Sequence, residues 1–115
     1  AESYHGPSLV IGYAPCEMHG IKGGMSNSQA EIKKAVEDGY WHLFRYDPRV
    51  QNEGKNGFTL DSKAPTGDYK EFLSGEVRYT ALTRTFPERA KVLFELAEEN
   101  AKAKYQRLVK KAEDK

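Results

Sequence analysis

Cysteine is nearly absent: Cys16 is the only one among 115 residues. A single thiol cannot form an internal disulfide, which suits a reducing compartment and points to the cytoplasm. It also leaves a zinc site made within the chain with little to build on, because structural zinc usually takes two or more thiolates. Charge of one sign is lacking as well. Eighteen Lys and Arg against 17 Asp and Glu leave +1, so the electrostatics favour neither nucleic acid nor a membrane surface as a partner. Long apolar runs are missing too: Leu9–Ile11, or Leu9–Ala14 with Gly12 and Tyr13 counted, falls far short of the roughly 20 residues that span a bilayer. Residues Ala1 to His5 lack the basic start and apolar stretch of a secretory signal.

Aromatic rings are plentiful. Seven Tyr, five Phe and one Trp demand burial, so an ordered fold is expected, and the length is about one domain's worth. Ser8–Tyr13 is a short apolar run between Gly6-Pro7 and Ala14-Pro15, the pattern of a core strand buried on both faces, as in a parallel sheet. The glycines Gly20, Gly23 and Gly24 mark the following stretch as a loop. Ser26 or Asn27 can cap a helix through Ala30, Ile32, Ala35 and Val36 that stops at Gly39. Leu43–Asp47 and Phe58–Asp61 read as short strands. Asp68 can cap a short helix from Tyr69, and Gly75 divides it from a second one.

Thr85-Phe86-Pro87-Glu88 has capping-box spacing and opens a long last helix. Its apolar residues, from Ala90, Leu93 and Phe94 to Tyr105, Leu108 and Ala112, recur at steps of three and four. The expected fold class is therefore α/β: one core strand, one or two short strands, and several helices ending in a long C-terminal one. So few strands cannot cover a strand buried on both faces. That mismatch predicts that residues 1–115 are the C-terminal piece of a larger sheet protein whose other strands pair with Ser8–Tyr13.

Cys16 follows directly on that strand, and in open α/β sheets the crevice at the carboxyl ends of the strands is where ligands bind. Pro15 before it and three glycines after it suit a metal cluster, whose sulfurs profit from nearby backbone N–H donors. The plainer reading of a lone cysteine is a small buried apolar side chain. Cys16 and His19 have the spacing of half a zinc site that His5 or His42 would have to complete, and a nucleophilic Cys16 with His19 or His42 as base lacks the surroundings of known cysteine hydrolases. The aromatic segments Gly39–His42 and Phe44–Tyr46 fit core or subunit contact better than a base-stacking platform.

The blocks Gly6–Cys16, His19–Ile21, Lys34–Val36, Gly39–Trp41, Leu43–Arg49, Gly54–Asn56, Leu60–Lys63 with Pro65, and Phe72–Tyr79 resemble, in order, the pyruvate:ferredoxin (flavodoxin) oxidoreductases. The resemblance covers nearly the whole chain. It implies the extreme C-terminal part of the thiamine-diphosphate-binding domain of a large enzyme. That enzyme decarboxylates pyruvate, gives the acetyl group to coenzyme A, and passes electrons through iron-sulfur clusters to ferredoxin or flavodoxin.

By the same resemblance Cys16 is the last ligand of a four-iron cluster (4Fe-4S), whose other three ligands lie upstream with those for thiamine diphosphate and magnesium. His19 and Gly20 support the loop. No catalytic residue and no cofactor are then expected of the isolated segment. Its partners would be the remainder of the same polypeptide, a second copy in a homodimer, and ferredoxin or flavodoxin, with no nucleic acid and no membrane. Glu17-Met18 and Lys22-Gly23-Gly24 depart from the family's pattern and bear on the loop's conformation. The competing expectation, from a different class, is a free-standing helical interaction module in which Cys16 is a buried structural residue.

Overall fold

Helices dominate, and among the described residues one pair of segments forms a β-ladder. The computed structural model describes residues 1–114. A 3-10 turn at Met25–Asn27 leads into α1, Ser28–Glu37. Next come β1 (Phe44–Tyr46), α2 (Pro48–Asn52), β2 (Phe58–Leu60), α3 (Tyr69–Gly75), α4 (Val77–Thr85) and α5 (Pro87–Glu113). Asn27 stands at the N-cap of α1 but makes no side-chain cap bond. Beyond the C-cap Asp38, Gly39 has φ +82°, and a Cβ there would also meet Pro65 Cγ at 2.9 Å. A side chain at 39 is thus opposed by both conformation and space.

β1 and β2 pair antiparallel, with Phe44 opposite Leu60, Arg45 opposite Thr59 and Tyr46 opposite Phe58. The Arg45 fork grips Asp61 at 2.8 and 2.9 Å just past the pair, and Phe44 stacks on Phe58. Asp68 accepts hydrogen bonds from the amides of Lys70 (2.9 Å) and Glu71 (3.2 Å), the cap its sequence position predicts for α3. The break between α3 and α4 falls at Gly75–Glu76, also as expected. α5 runs 27 residues, about 40 Å at 1.5 Å per residue, and sets the long axis of a molecule measuring 53 × 28 × 22 Å. Asn56, in the loop before β2, donates to the carbonyls of Lys111 (2.7 Å) and Ala112 (3.1 Å) and so closes the end of α5.

Ala35, Phe72 and Leu73 form the core, ringed by Tyr13, Tyr40, Trp41, Tyr69, Tyr79 and Phe94. The Tyr40 and Phe72 rings lie 4.6 Å apart, and the Tyr40 and Tyr79 hydroxyls are 2.9 Å apart. The Gly39–Trp41 aromatics are therefore core, whereas Phe44 and Tyr46 stay about half exposed. The core is small for the chain. The radius of gyration, 17.0 Å, exceeds the about 13 Å typical of a globule of this length.

Two expectations need correction. Ser8–Tyr13 is not a core strand: it belongs to no ladder, and Leu9, Val10 and Ile11 are 83, 81 and 67% exposed. A strand is held by hydrogen bonds to a neighbour, and among the described residues no strand lies beside it, so apolar character alone leaves it extended and uncovered. The only sheet among the described residues is the antiparallel β1–β2 pair, not a parallel one. Nor does Thr85 cap α5. It is the last residue of α4, its hydroxyl donates to Ala81 O at 2.9 Å, and Phe86 takes the N-cap position without a side-chain bond, although Pro87 does sit in the first turn.

A candidate metal ligand on the Cys16 loop

Cys16 sits at the tip of a loop fastened on both sides to one place, the junction of α3 and α4. On the incoming side Tyr13 stacks on Trp41 at 5.7 Å, meets Tyr40 edge-on at 5.6 Å, and donates its hydroxyl to Glu76 Oε1 at 3.3 Å. On the outgoing side Ile21, 5% exposed, bridges antiparallel to Glu76, with Lys22 N donating to Gly75 O (2.8 Å) and Val77 N to Gly20 O (3.3 Å). Between these anchors the Cys16 carbonyl accepts hydrogen bonds from the amides of His19 (3.1 Å) and Gly20 (3.0 Å). Gly20 has φ +74°, and a Cβ there would press on Val77 Cγ2 at 3.1 Å. The turn thus needs glycine at 20, and its result is a thiol held out into solvent: Cys16 is free and exposed. The buried-cysteine expectation is overturned.

Glu76, the shared anchor, is 8% exposed, and the Glu31 carboxyl faces it with Oε1 buried and unpartnered. Burial raises the Glu31 pKa, the nearby Glu76 charge and a hydrogen bond with it raise it further, and Lys34 opposes them. Two carboxyls can bond only by sharing a proton. The Tyr13 phenol is raised too, by burial first and then by Glu76.

The other expected candidates are not brought to Cys16 as a set. Among the described residues no group of three or more His, Cys, Asp or Glu could hold a metal ion. His42 is 5% exposed and packs against Tyr105 of α5 at 5.7 Å, while His5 and His19 are exposed. Both His42 ring nitrogens are buried without a partner, and burial holds its pKa below the usual value, with Lys104 adding to the effect. No donor set for an internal zinc site is assembled among the described residues. What remains is one accessible thiol on an anchored loop, which can supply one corner of a centre but not a whole one. Tyr13, Glu31 and Glu76 were not singled out from sequence for this site, since only folding brings them together.

No family model matches the chain. It is similar to the pyruvate:ferredoxin oxidoreductase of Moorella thermoacetica, 56% identical over 113 residues, which is 98% of this chain and 10% of that protein. The chain belongs to the pyruvate:ferredoxin (flavodoxin) oxidoreductase family. The pyruvate-flavodoxin oxidoreductase of Klebsiella pneumoniae is 53% identical over 105 residues, 91% of this chain and 9% of that protein. The mitochondrial pyruvate dehydrogenase [NADP(+)] of Euglena gracilis is 45% identical over 107 residues, 93% of this chain and 6% of that protein. The chain therefore spans about a tenth or less of the length of these curated relatives, and no helix among the described residues is long and apolar enough to cross a membrane.

Proposed function

We propose that these residues are the C-terminal part of the thiamine-diphosphate-binding domain of a pyruvate oxidoreductase, and that Cys16 is one ligand of a four-iron cluster. The enzyme would oxidise pyruvate to acetyl-coenzyme A and carbon dioxide and deliver electrons to ferredoxin or flavodoxin, as a homodimer of the long chain. The carrying observation is the solitary exposed thiol on a loop fastened at both ends, in a family whose members are about ten times longer. A thiolate corner makes chemical sense when three others arrive from elsewhere in the polypeptide.

When bound, the thiamine and the cluster supply the carbanion and one-electron chemistry. The protein's own part is local. Tyr13 and Ile21 fix where the Cys16 Sγ can stand, and the Glu17 and Met18 amides make no backbone hydrogen bond, which leaves them free to donate to sulfur. The thin core and the uncovered Leu9–Ile11 segment fit a piece whose remaining cover is supplied by the rest of the enzyme. On this reading the segment alone has no activity.

Thiol chemistry on the full-length protein tests the assignment. Under anaerobic conditions Cys16 should resist iodoacetamide in the native enzyme and react once the iron is stripped. Equal labelling before and after iron removal would contradict a ligand role.

A further inference from the structure

Around the C-terminus of α1 nearly every carboxylate has a partner. Glu37 pairs with Lys33 at 3.7 Å, Glu71 with Lys34 at 3.3 Å, and Glu98 with Lys70 at 3.7 Å and Lys102 at 3.0 Å, while Asp68 caps α3. Asp38 is the exception. It is 6% exposed, and its Oδ2 is buried with no hydrogen-bond partner. Burial raises its pKa, Glu71, Glu37 and Asp68 reinforce the shift, and Lys34 alone counters it, although Lys34 is committed to Glu71. A buried carboxyl without donor or cation is costly, so its occurrence calls for a partner or a proton.

Asp38 forms part of the wall of a cavity of about 280 Å³ between the Pro65–Tyr69 stretch and α5, whose other walls include Pro65, Tyr69, Glu98, Lys102 and Tyr105. That volume lies at the lower edge of the range for small-molecule sites, so it suits a side chain better than a cofactor. Two tyrosine rings and a proline give the apolar sides that the stem of a long basic side chain packs against. Of the two carboxylates in its walls, Glu98 on α5 is already paired with Lys70 and Lys102, which leaves Asp38, after α1, as the one open to an incoming cation. Gly67 packs directly on this carboxylate, since a Cβ there would overlap Asp38 Oδ1.

We infer that this cavity is a socket for an arginine side chain carried by another segment of the longer polypeptide, with Asp38 as the buried counter-ion. The inference rests on the reading of these residues as part of a longer chain, and the tenfold greater length of the relatives leaves ample sequence to supply the arginine. Arginine is favoured over lysine because a planar guanidinium can fork onto a carboxylate while lying against a tyrosine ring.

A structure of the full-length protein tests this directly. It should show an arginine from outside residues 1–115 with a guanidinium nitrogen within about 3.5 Å of an Asp38 oxygen. Water alone, an apolar side chain, or Lys102 or Lys34 swung onto Asp38 would overturn the socket. Asp38→Asn and replacement of that arginine by Ala, alone and together, add an energetic readout. Each single change should speed hydrogen exchange at Gly39 and Gly67 about tenfold, and the double change no more than either. Additive effects would refute the pairing. All three variants should keep their full iron content, so a failed socket leaves the Cys16 assignment standing, and a Cys16 without iron leaves the socket result intact.

Discussion

At residue scale the fold creates roles that the residues alone do not announce. Cys16 could be picked out beforehand because a thiol between proline and glycines is unusual in itself. Glu31 and Asp38 could not, because nothing in a helical stretch of alternating acids and lysines says which carboxyl will be buried. Glu31 carries a sign that can be measured. Its pKa is raised in the fold, so it binds a proton more readily there than in the unfolded chain, where the ordinary value is 4.5. Its favourable share is thus fully present below that value and lost as pH rises through the raised one. Protection of the Lys22 amide, corrected for intrinsic exchange, should fall across that interval. Glu31→Gln should abolish the pH dependence and tighten the anchor near neutral pH by about 1 kcal/mol, since an amide can donate to Glu76 at any pH. An unchanged profile would remove the proton-sharing pair.

At the scale of elements, the chain follows its local signals wherever local bonds decide. Asp68 caps α3, Gly75 ends it, Gly39 closes α1 and the long α5 keeps its stripe, all within a few residues of where spacing places them. Asp68→Ala should cost about 1 kcal/mol of stability, read as a lower urea midpoint at constant slope. No loss would mean that the two amide bonds are replaced by water without penalty. Two elements of the structure differ from what the sequence leads one to expect, for different reasons. Thr85 has the right spacing for a cap, but its hydroxyl is already bound one turn back in α4. Ser8–Tyr13 has the composition of a core strand, but composition cannot supply the neighbour that a ladder needs.

The unpaired state of Ser8–Tyr13 matters at the scale of the whole molecule. Leu9, Val10 and Ile11 are 67 to 83% exposed, Val92, Leu93 and Leu96 of α5 are uncovered as well, and only a few side chains are fully buried. Apolar surface of this kind marks a contact face. Hydrogen exchange should find the amides of Ser8–Tyr13 fast in the 115-residue chain and strongly protected in the full-length protein, as a strand added to a sheet would be. Equal, fast exchange in both would mean that the segment never pairs, and the larger-sheet assignment would fall.

Whether Cys16 anchors iron is tested most directly by counting iron. Full-length protein with Cys16→Ser, purified without oxygen beside the parent, should lose up to about four iron atoms per chain and transfer electrons poorly from pyruvate to ferredoxin or flavodoxin, while still binding pyruvate. A variant with undiminished iron and full electron transfer would contradict the claim.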